Sequence, residues 1–170
     1  VLTEEGANRA IKRGKLIGKT VVFGAVVSSP LPRAVSTATK MLEGAGISKE
    51  IEIESRLGDF KSDPRANGAL DRLKAKAKSQ CGDDSDSSLA VAIMDTPELH
   101  DLMLMRAQEG AEALAEIALK NPNSFVLVTS HGVARMEIAL RWLNGCRGVD
   151  ALDISNELVG RGESVMVMFE

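Results

Sequence analysis

The sequence predicts a layered α/β fold around a largely parallel sheet, and three observations predict it. Two short apolar runs, "VVFGAVV" and "FVLV", have strand length and lie far apart in the chain. Between and after them come longer segments whose apolar residues recur every three or four positions, the period of a helix with one buried face. Each apolar run ends in small polar residues, Ser28-Ser29-Pro30 in one case and Ser130-His131-Gly132 in the other, and passes at once into such a helical segment. Strands that alternate with helices pair in parallel and bury both faces.

The elements follow in order. Thr3 is placed to cap a first helix, with Glu4 and Glu5 complementing the dipole in its first turn. Val21, Val22, Phe23, Val26 and Val27 form a buried strand. Pro32 opens the next helix, Gly44 or Gly46 closes it, and Ala34, Ala38, Met41 and Leu42 make its inner face. "IEIE" alternates and reads as a strand with one wet face. Residues 58–98 break the rhythm with a loop, a basic helix carrying Arg72, Lys74, Lys76 and Lys78, and an acidic loop, and they read as an insertion packed on the main domain. "LAVAIM" is a short strand or the start of a helix. Thr96-Pro97-Glu98 starts a helix that should run to about Leu119, with Leu99, Leu102, Met103, Gly110, Leu114 and Ile117 on its buried side. After the strand "FVLV", Val133, Met136, Leu140 and Leu143 mark a helical face, and "SVMVMFE" is a final strand.

Composition narrows the function. A chain of 170 residues, 44% hydrophobic, suits one compact domain over residues 1–170. The net charge of −3 and the lack of a long basic run argue against nucleic acid or an acidic membrane surface as a partner. Every apolar run is too short to span a bilayer, and no signal-peptide pattern opens the chain. Cys81 and Cys146 are too few and too distant for a disulfide framework or a zinc site, so a reducing, cytoplasmic setting is expected. Asp83, Asp84 and Asp86 lack the glycine and distal glutamate of a calcium loop and read as a solvated loop.

The chemistry concentrates at the two strand ends. Binding crevices of open α/β sheets lie at the carboxyl ends of strands. If both runs end on the same edge, Arg33 and His131 enter a common crevice. A cation just inside a helix start is mildly unfavourable there for dipole reasons, so Arg33 fits better as half of an anion site, its guanidinium fork matching phosphate oxygens. The N–H groups of Gly132 and Val133 would lie at the positive end of the following helix. Singly, Arg33 has an ordinary reading as a solvated surface residue and His131 as a hydrogen-bonded turn residue; their shared setting favours a site.

"LTEEGANRA", "VVSSPLPRAVSTA" and "FVLVTSHGVAR" occur in the order and spacing found in the histidine phosphatase superfamily, which includes the phosphoglycerate mutases, and the chain resembles that family over about residues 2–145. The resemblance implies a three-layer, mostly parallel sheet with helices on both faces. It also implies a metal-independent reaction with no cofactor, in which a nucleophilic histidine becomes a phosphohistidine. Arginines clamp the phosphate, a second histidine stabilises its charge, and a carboxylic acid protonates the leaving oxygen. Carried across by position, Arg33 is the clamp arginine and His131 the second histidine. Asp59 in "RLGDF" stands near the family's glutamate acid, with an ordinary solvated loop aspartate as the other reading. Ser29 and Gly132 are assigned to substrate contact alongside Arg33 and His131.

One motif of the family is absent from residues 1–170. Relatives open with a strand ending in Arg-His-Gly, whose histidine is the nucleophile; here the only histidine besides His131 is His100, on the flank of the helix after Pro97. The start at Val1 rather than Met leads us to expect that strand upstream. Without it, a strand central by resemblance would be missing and its neighbours left as bare edges. A truncated fragment, or a relative that binds phosphate without turnover, are the alternatives. The expected activity is hydrolysis of a phosphomonoester, with mutase-type transfer as the alternative, on a small phosphorylated substrate or a phosphoprotein. A homodimer is left open.

Overall fold

A computed structural model describes residues 2–66, 69–81, 92–93, 95–131 and 135–143. The elements are, in chain order, α1 (Glu4–Ile17), β1 (Phe23–Ser28), α2 (Pro32–Ala45), β2 (Glu52–Ile53), α3 (Leu70–Cys81), α4 (Pro97–Lys120), β3 (Phe125–Thr129) and α5 (Arg135–Leu143), with 3-10 turns at Ser55–Leu57 and Phe60–Ser62. Contacts divide the chain into two compact units. One comprises Val1–Gly58, Ala113–His131 and Phe169–Glu170; the other comprises Asp59–Glu112 and Gly132–Met168.

The first unit holds the sheet. Its strands run in the order β2-β1-β3, all parallel, with Val27 opposite Glu52 and Val128 and with Ser28 opposite Ile53 and Thr129. Phe23, Val26 and Leu127 from the strands meet Ala10 of α1 and Ala38, Met41 and Leu42 of α2 in one apolar core. The strand begins later than its apolar run suggests. Thr20 and Val21 still donate their N–H groups to the Ile17 carbonyl, closing α1, so Val22 is left outside β1 and 84% exposed. "IEIE" likewise yields only the two residues of β2, both exposed.

Helix α1 starts as its sequence predicts, the Thr3 hydroxyl accepting from the Gly6 N–H at 3.1 Å. Helix α2 begins at Pro32 and ends at Gly46, whose φ of 69° is a left-handed cap that favours glycine. The two helices approach closely because side chains are missing where they touch. A Cβ on Gly14 would lie 2.0 Å from the Met41 carbonyl oxygen, and one on Gly44 would lie 2.1 Å from that of Ile11. Gly18, one turn after Gly14 and so on the same helix face, faces Ala45 in the same way.

Hydroxyl groups fasten the carboxyl ends of β1 and β3. The Thr129 hydroxyl donates to Ser28 Oγ at 3.0 Å, and the Ser28 hydroxyl donates to the Ser29 carbonyl at 2.9 Å. The Ser29 N–H returns a bond to the Thr129 carbonyl at 2.9 Å. Thr129, Ser28 and Ser29 are all buried, so these bonds are shielded from water and costly to leave unmade. One residue on, the Ser130 hydroxyl donates to the Leu57 carbonyl at 2.9 Å and ties the strand end to the turn after β2.

The second unit has its own core of Phe60, Leu73, Ile93, Leu99, Met103 and Ile138 among others. Helix α3 is the basic helix expected there, with Leu73 buried between exposed Arg72 and Lys74. Of "LAVAIM", Ala92 and Ile93 are helical and buried. Helix α4 buries the predicted residues Leu99, Leu102, Met103, Gly110, Leu114 and Ile117 along its length. Helix α5 differs from expectation: among its described side chains Arg135, Ile138 and Ala139 are buried, while Met136, Leu140 and Leu143 are half-buried. A buried arginine takes the place of an apolar residue on that face and so shifts the apparent stripe. Val133 and the final strand "SVMVMFE" lie outside the described residues, as do Cys146 and Asp83, Asp84 and Asp86.

Gly14→Val drives a side chain into the Met41 backbone and is expected to lower stability by roughly 1–3 kcal/mol in urea unfolding; an unchanged midpoint would contradict the close helix approach. Ser28→Ala strands the Thr129 hydroxyl and is expected to cost about 1–3 kcal/mol. The double variant Ser28→Ala/Thr129→Val should recover part of that loss, and strictly additive losses would contradict the buried chain.

Candidate functional site

The fastened strand ends deliver three side chains to one place in the first unit. Beyond β1 the chain continues through Ser29 and Pro30 to Leu31, the N-cap of α2, which supplies no side-chain cap of its own. Pro32 begins the helix, and Arg33 follows in its first turn, where the helix dipole adds positive potential to the guanidinium. Beyond β3 the chain continues through Ser130 to His131. Arg33 Nε donates to His131 Nδ1 at 3.1 Å, joining residues 98 positions apart. On the other side of the ring, His131 Nε2 lies 2.7 Å from Ser29 Oγ, which also accepts from the Leu31 N–H at 3.3 Å. Ser29 is fully buried, His131 half-buried and Arg33 exposed, so the group opens to solvent on the arginine side.

Such an arrangement can receive an oxyanion. It offers a guanidinium, an imidazole and the start of a helix within a few ångströms, and each can favour negative charge. The predicted Arg33, His131 and Ser29 are thus brought together. Asp59 belongs to the second unit, where its carboxylate accepts from the Lys61 N–H at 3.2 Å and caps a 3-10 turn. At 5% exposure it is not the solvated loop aspartate that was its other reading. Gly132 lies outside the described residues. His100 sits on α4 with Nδ1 3.3 Å from its neighbour Asp101.

Sequence reasoning named Ser29 but missed the hydroxyl groups of Ser28, Thr129 and Ser130 that hold the strand ends. Their signal was present as Ser28-Ser29 and Thr129-Ser130, two consecutive hydroxyl residues at each strand end. It also missed Arg56, which donates to both Glu54 and Glu116 within 3.0 Å and fixes the turn after β2 against the end of α4. Those hydrogen bonds raise the Arg56 guanidinium above its ordinary value and hold both carboxyls below theirs.

The second unit carries a charged cluster of its own. Arg65 donates twice to Asp63, at 2.9 and 2.6 Å, and Arg106 lies 3.5 Å from the same carboxylate while also pairing with Glu109. Arg135 is 2% exposed and donates from Nε to the Arg106 carbonyl at 3.0 Å. Burial, followed by repulsion from Arg106, pulls its guanidinium down to about 10. Gly110 leaves room for it, since a Cβ there would come within 3.2 Å of the guanidinium. The hydrogen-bonded Arg65 guanidinium holds the Asp63 carboxyl down to about 2, from an ordinary 3.8. A carboxyl depressed on folding stabilises the protein above its unfolded value and loses that contribution as pH falls toward the folded one. The stability advantage of the native protein over Asp63→Asn should therefore be constant above about pH 5 and shrink between about pH 4 and pH 2. Urea unfolding across that range measures it, and a gap that did not vary with pH would contradict the pairing.

Residues 1–156 match the family described as the histidine phosphatase superfamily, branch 1. No curated protein sequence matches the chain. Among solved structures, the phosphoglycerate mutase of Bacillus anthracis str. Sterne is 20% identical over 85% of this chain and 69% of its own, with a TM-score of 0.56. The α-ribazole phosphatase of Shigella flexneri is 19% identical over 95% of this chain and 75% of its own, with a TM-score of 0.54. A mycobacterial glucosyl-3-phosphoglycerate phosphatase in complex with VO3 is 19% identical over 95% of this chain and 74% of its own, with a TM-score of 0.50. At these identities the likenesses speak for the fold, a phosphoglycerate mutase-like α/β architecture. The match over 156 of the 170 residues shows the family: the chain belongs to the histidine phosphatase superfamily, branch 1.

Proposed function

We propose that this chain carries the phosphate site of a metal-independent phosphomonoesterase that works through a phosphohistidine. The observation that supports this reading is the 3.1 Å contact between Arg33 and His131 at the ends of neighbouring parallel strands. Two groups drawn from distant segments and opening to solvent are poised to hold one oxyanion. In the reaction, a histidine nitrogen attacks phosphorus and the ester P–O bond breaks. The leaving oxygen takes a proton from a carboxylic acid, and water then cleaves the P–N bond to release phosphate. Arg33 holds two oxygens of the transferring group, and His131 donates to a third. Both act on charge that is already placed, and positioning with electrostatic stabilisation is most of what phosphoryl transfer requires. Asp59 is the proposed acid, through the family resemblance of its position. Small phosphorylated metabolites are the proposed substrate class, since the structurally similar proteins are named for phosphoglycerate, α-ribazole and glucosyl-3-phosphoglycerate chemistry.

The nucleophile belongs to an Arg-His-Gly context that residues 1–170 do not contain. A phosphate-binding relative without turnover is the second reading, and the two readings share the same anion site. Arg33→Ala and His131→Ala should each weaken binding of inorganic phosphate by at least about tenfold, with little change in melting temperature. In protein that hydrolyses an aryl phosphate, each should also lower turnover by about 10²–10³. In the full-length protein, phosphate binding without hydrolysis selects the second reading. Unchanged phosphate affinity in both variants would overturn the site altogether.

A further inference from the structure

We propose that Ser29 is a positioning residue that fixes the tautomer of His131, so that Nδ1 is the nitrogen presented to the anion. The proposal rests on the phosphate-site reading above and adds to it which ring atom meets the ligand and what holds it there.

A guanidinium only donates, so the Arg33 Nε contact at 3.1 Å requires a lone pair on His131 Nδ1. A neutral imidazole then carries its proton on Nε2, and that N–H donates to Ser29 Oγ at 2.7 Å. Ser29 Oγ accepts a second bond from the Leu31 N–H at 3.3 Å, so its lone pairs are aimed by the start of α2. Ser29 itself is held by the strand-end bonds: its N–H and carbonyl are engaged by Thr129 and Ser28. Its side chain is fully buried, which removes it from direct contact with a substrate and leaves it acting through the ring.

The two sides of the imidazole therefore differ in freedom. The Nε2 side is anchored to a buried hydroxyl whose backbone is locked between two strands. The Nδ1 side faces an exposed arginine on the first turn of a helix, a long side chain that can turn to an incoming oxyanion. When the guanidinium turns to the anion, Nδ1 is the atom uncovered beside it. Nδ1 then takes up a proton from solvent and donates to the same anion, while Nε2–H stays on Ser29. A second hydrogen-bonding partner that sets which nitrogen of a histidine is reactive is a familiar device at functional sites. Here the partner is a serine just past the end of the neighbouring strand.

Long-range 1H–15N NMR of the histidine rings in the full chain tests this directly. There are two histidines, and a His100→Asn spectrum assigns the other. We expect native His131 to show a protonated Nε2 and an unprotonated Nδ1 at a pH where the ring is neutral. Added sulfate, which does not titrate in this range, should move Nδ1 toward the protonated position while Nε2 stays protonated. Ser29→Ala should leave the melting transition in place, mix the two tautomers and weaken sulfate binding by about fivefold to tenfold. Ser29→Thr, which keeps the hydroxyl, should restore the native ring signals; if its added methyl lowers the melting transition, the Ser29→Ala spectrum alone decides. A native ring protonated on Nδ1, or a Ser29→Ala ring indistinguishable from the native one, would overturn the role of Ser29 whatever the anion affinity. The expected tautomer with no response of His131 to sulfate or phosphate would instead overturn the anion site while upholding the hold of Ser29 on the ring.

Discussion

Everything placed at the site depends on the register between the ends of β1 and β3. Parallel strands connected through a long crossover have no turn to set their alignment, so the alignment must come from side chains. The buried chain from Thr129 through Ser28 to the Ser29 carbonyl supplies it. A slip of one residue would turn Ser28 and Thr129 to opposite faces and leave buried hydroxyl groups unpaired. It would also carry His131 away from both Ser29 and Arg33. One set of polar bonds thus both fixes the sheet and aims the imidazole.

The same economy appears in how the first unit packs. Helix α1 lies against α2 at backbone distance because Gly14, Gly18 and Gly44 offer no side chains at the crossing. That contact braces α2, whose first turn carries Arg33. The guanidinium is thus exposed at its tip but attached to a rigid start: Pro32 fixes the backbone there, and the Leu31 N–H is bound to Ser29. Preorganisation of this kind leaves the backbone beneath the guanidinium little conformational freedom to lose.

Much of this was legible in the sequence, and the parts that were not have physical reasons. Helices α1, α2 and α4 could be read from their caps and periodicity because Thr3, Pro32, Gly46 and Pro97 act locally. The pairing of Arg33 with His131 was legible because two apolar runs of strand length both end in hydroxyl residues before a helix. Val22 was misread since an apolar residue next to a strand is indistinguishable from one inside it until the preceding helix cap is known. The face of α5 was misread because Arg135 is buried, and no pattern of apolar residues marks a buried cation whose partners lie on other elements. The order β2-β1-β3 was out of reach for a similar reason, since it is a relation between segments.

The claim at the centre of this account is that one oxyanion is shared by Arg33 and His131. A crystal structure of the protein grown with phosphate or vanadate tests it most directly. The anion is expected within hydrogen-bond distance of the Arg33 guanidinium and of His131 Nδ1 together, with His131 Nε2 still on Ser29. An anion bound elsewhere on the protein, with the Arg33–His131 contact intact and unoccupied, would contradict it.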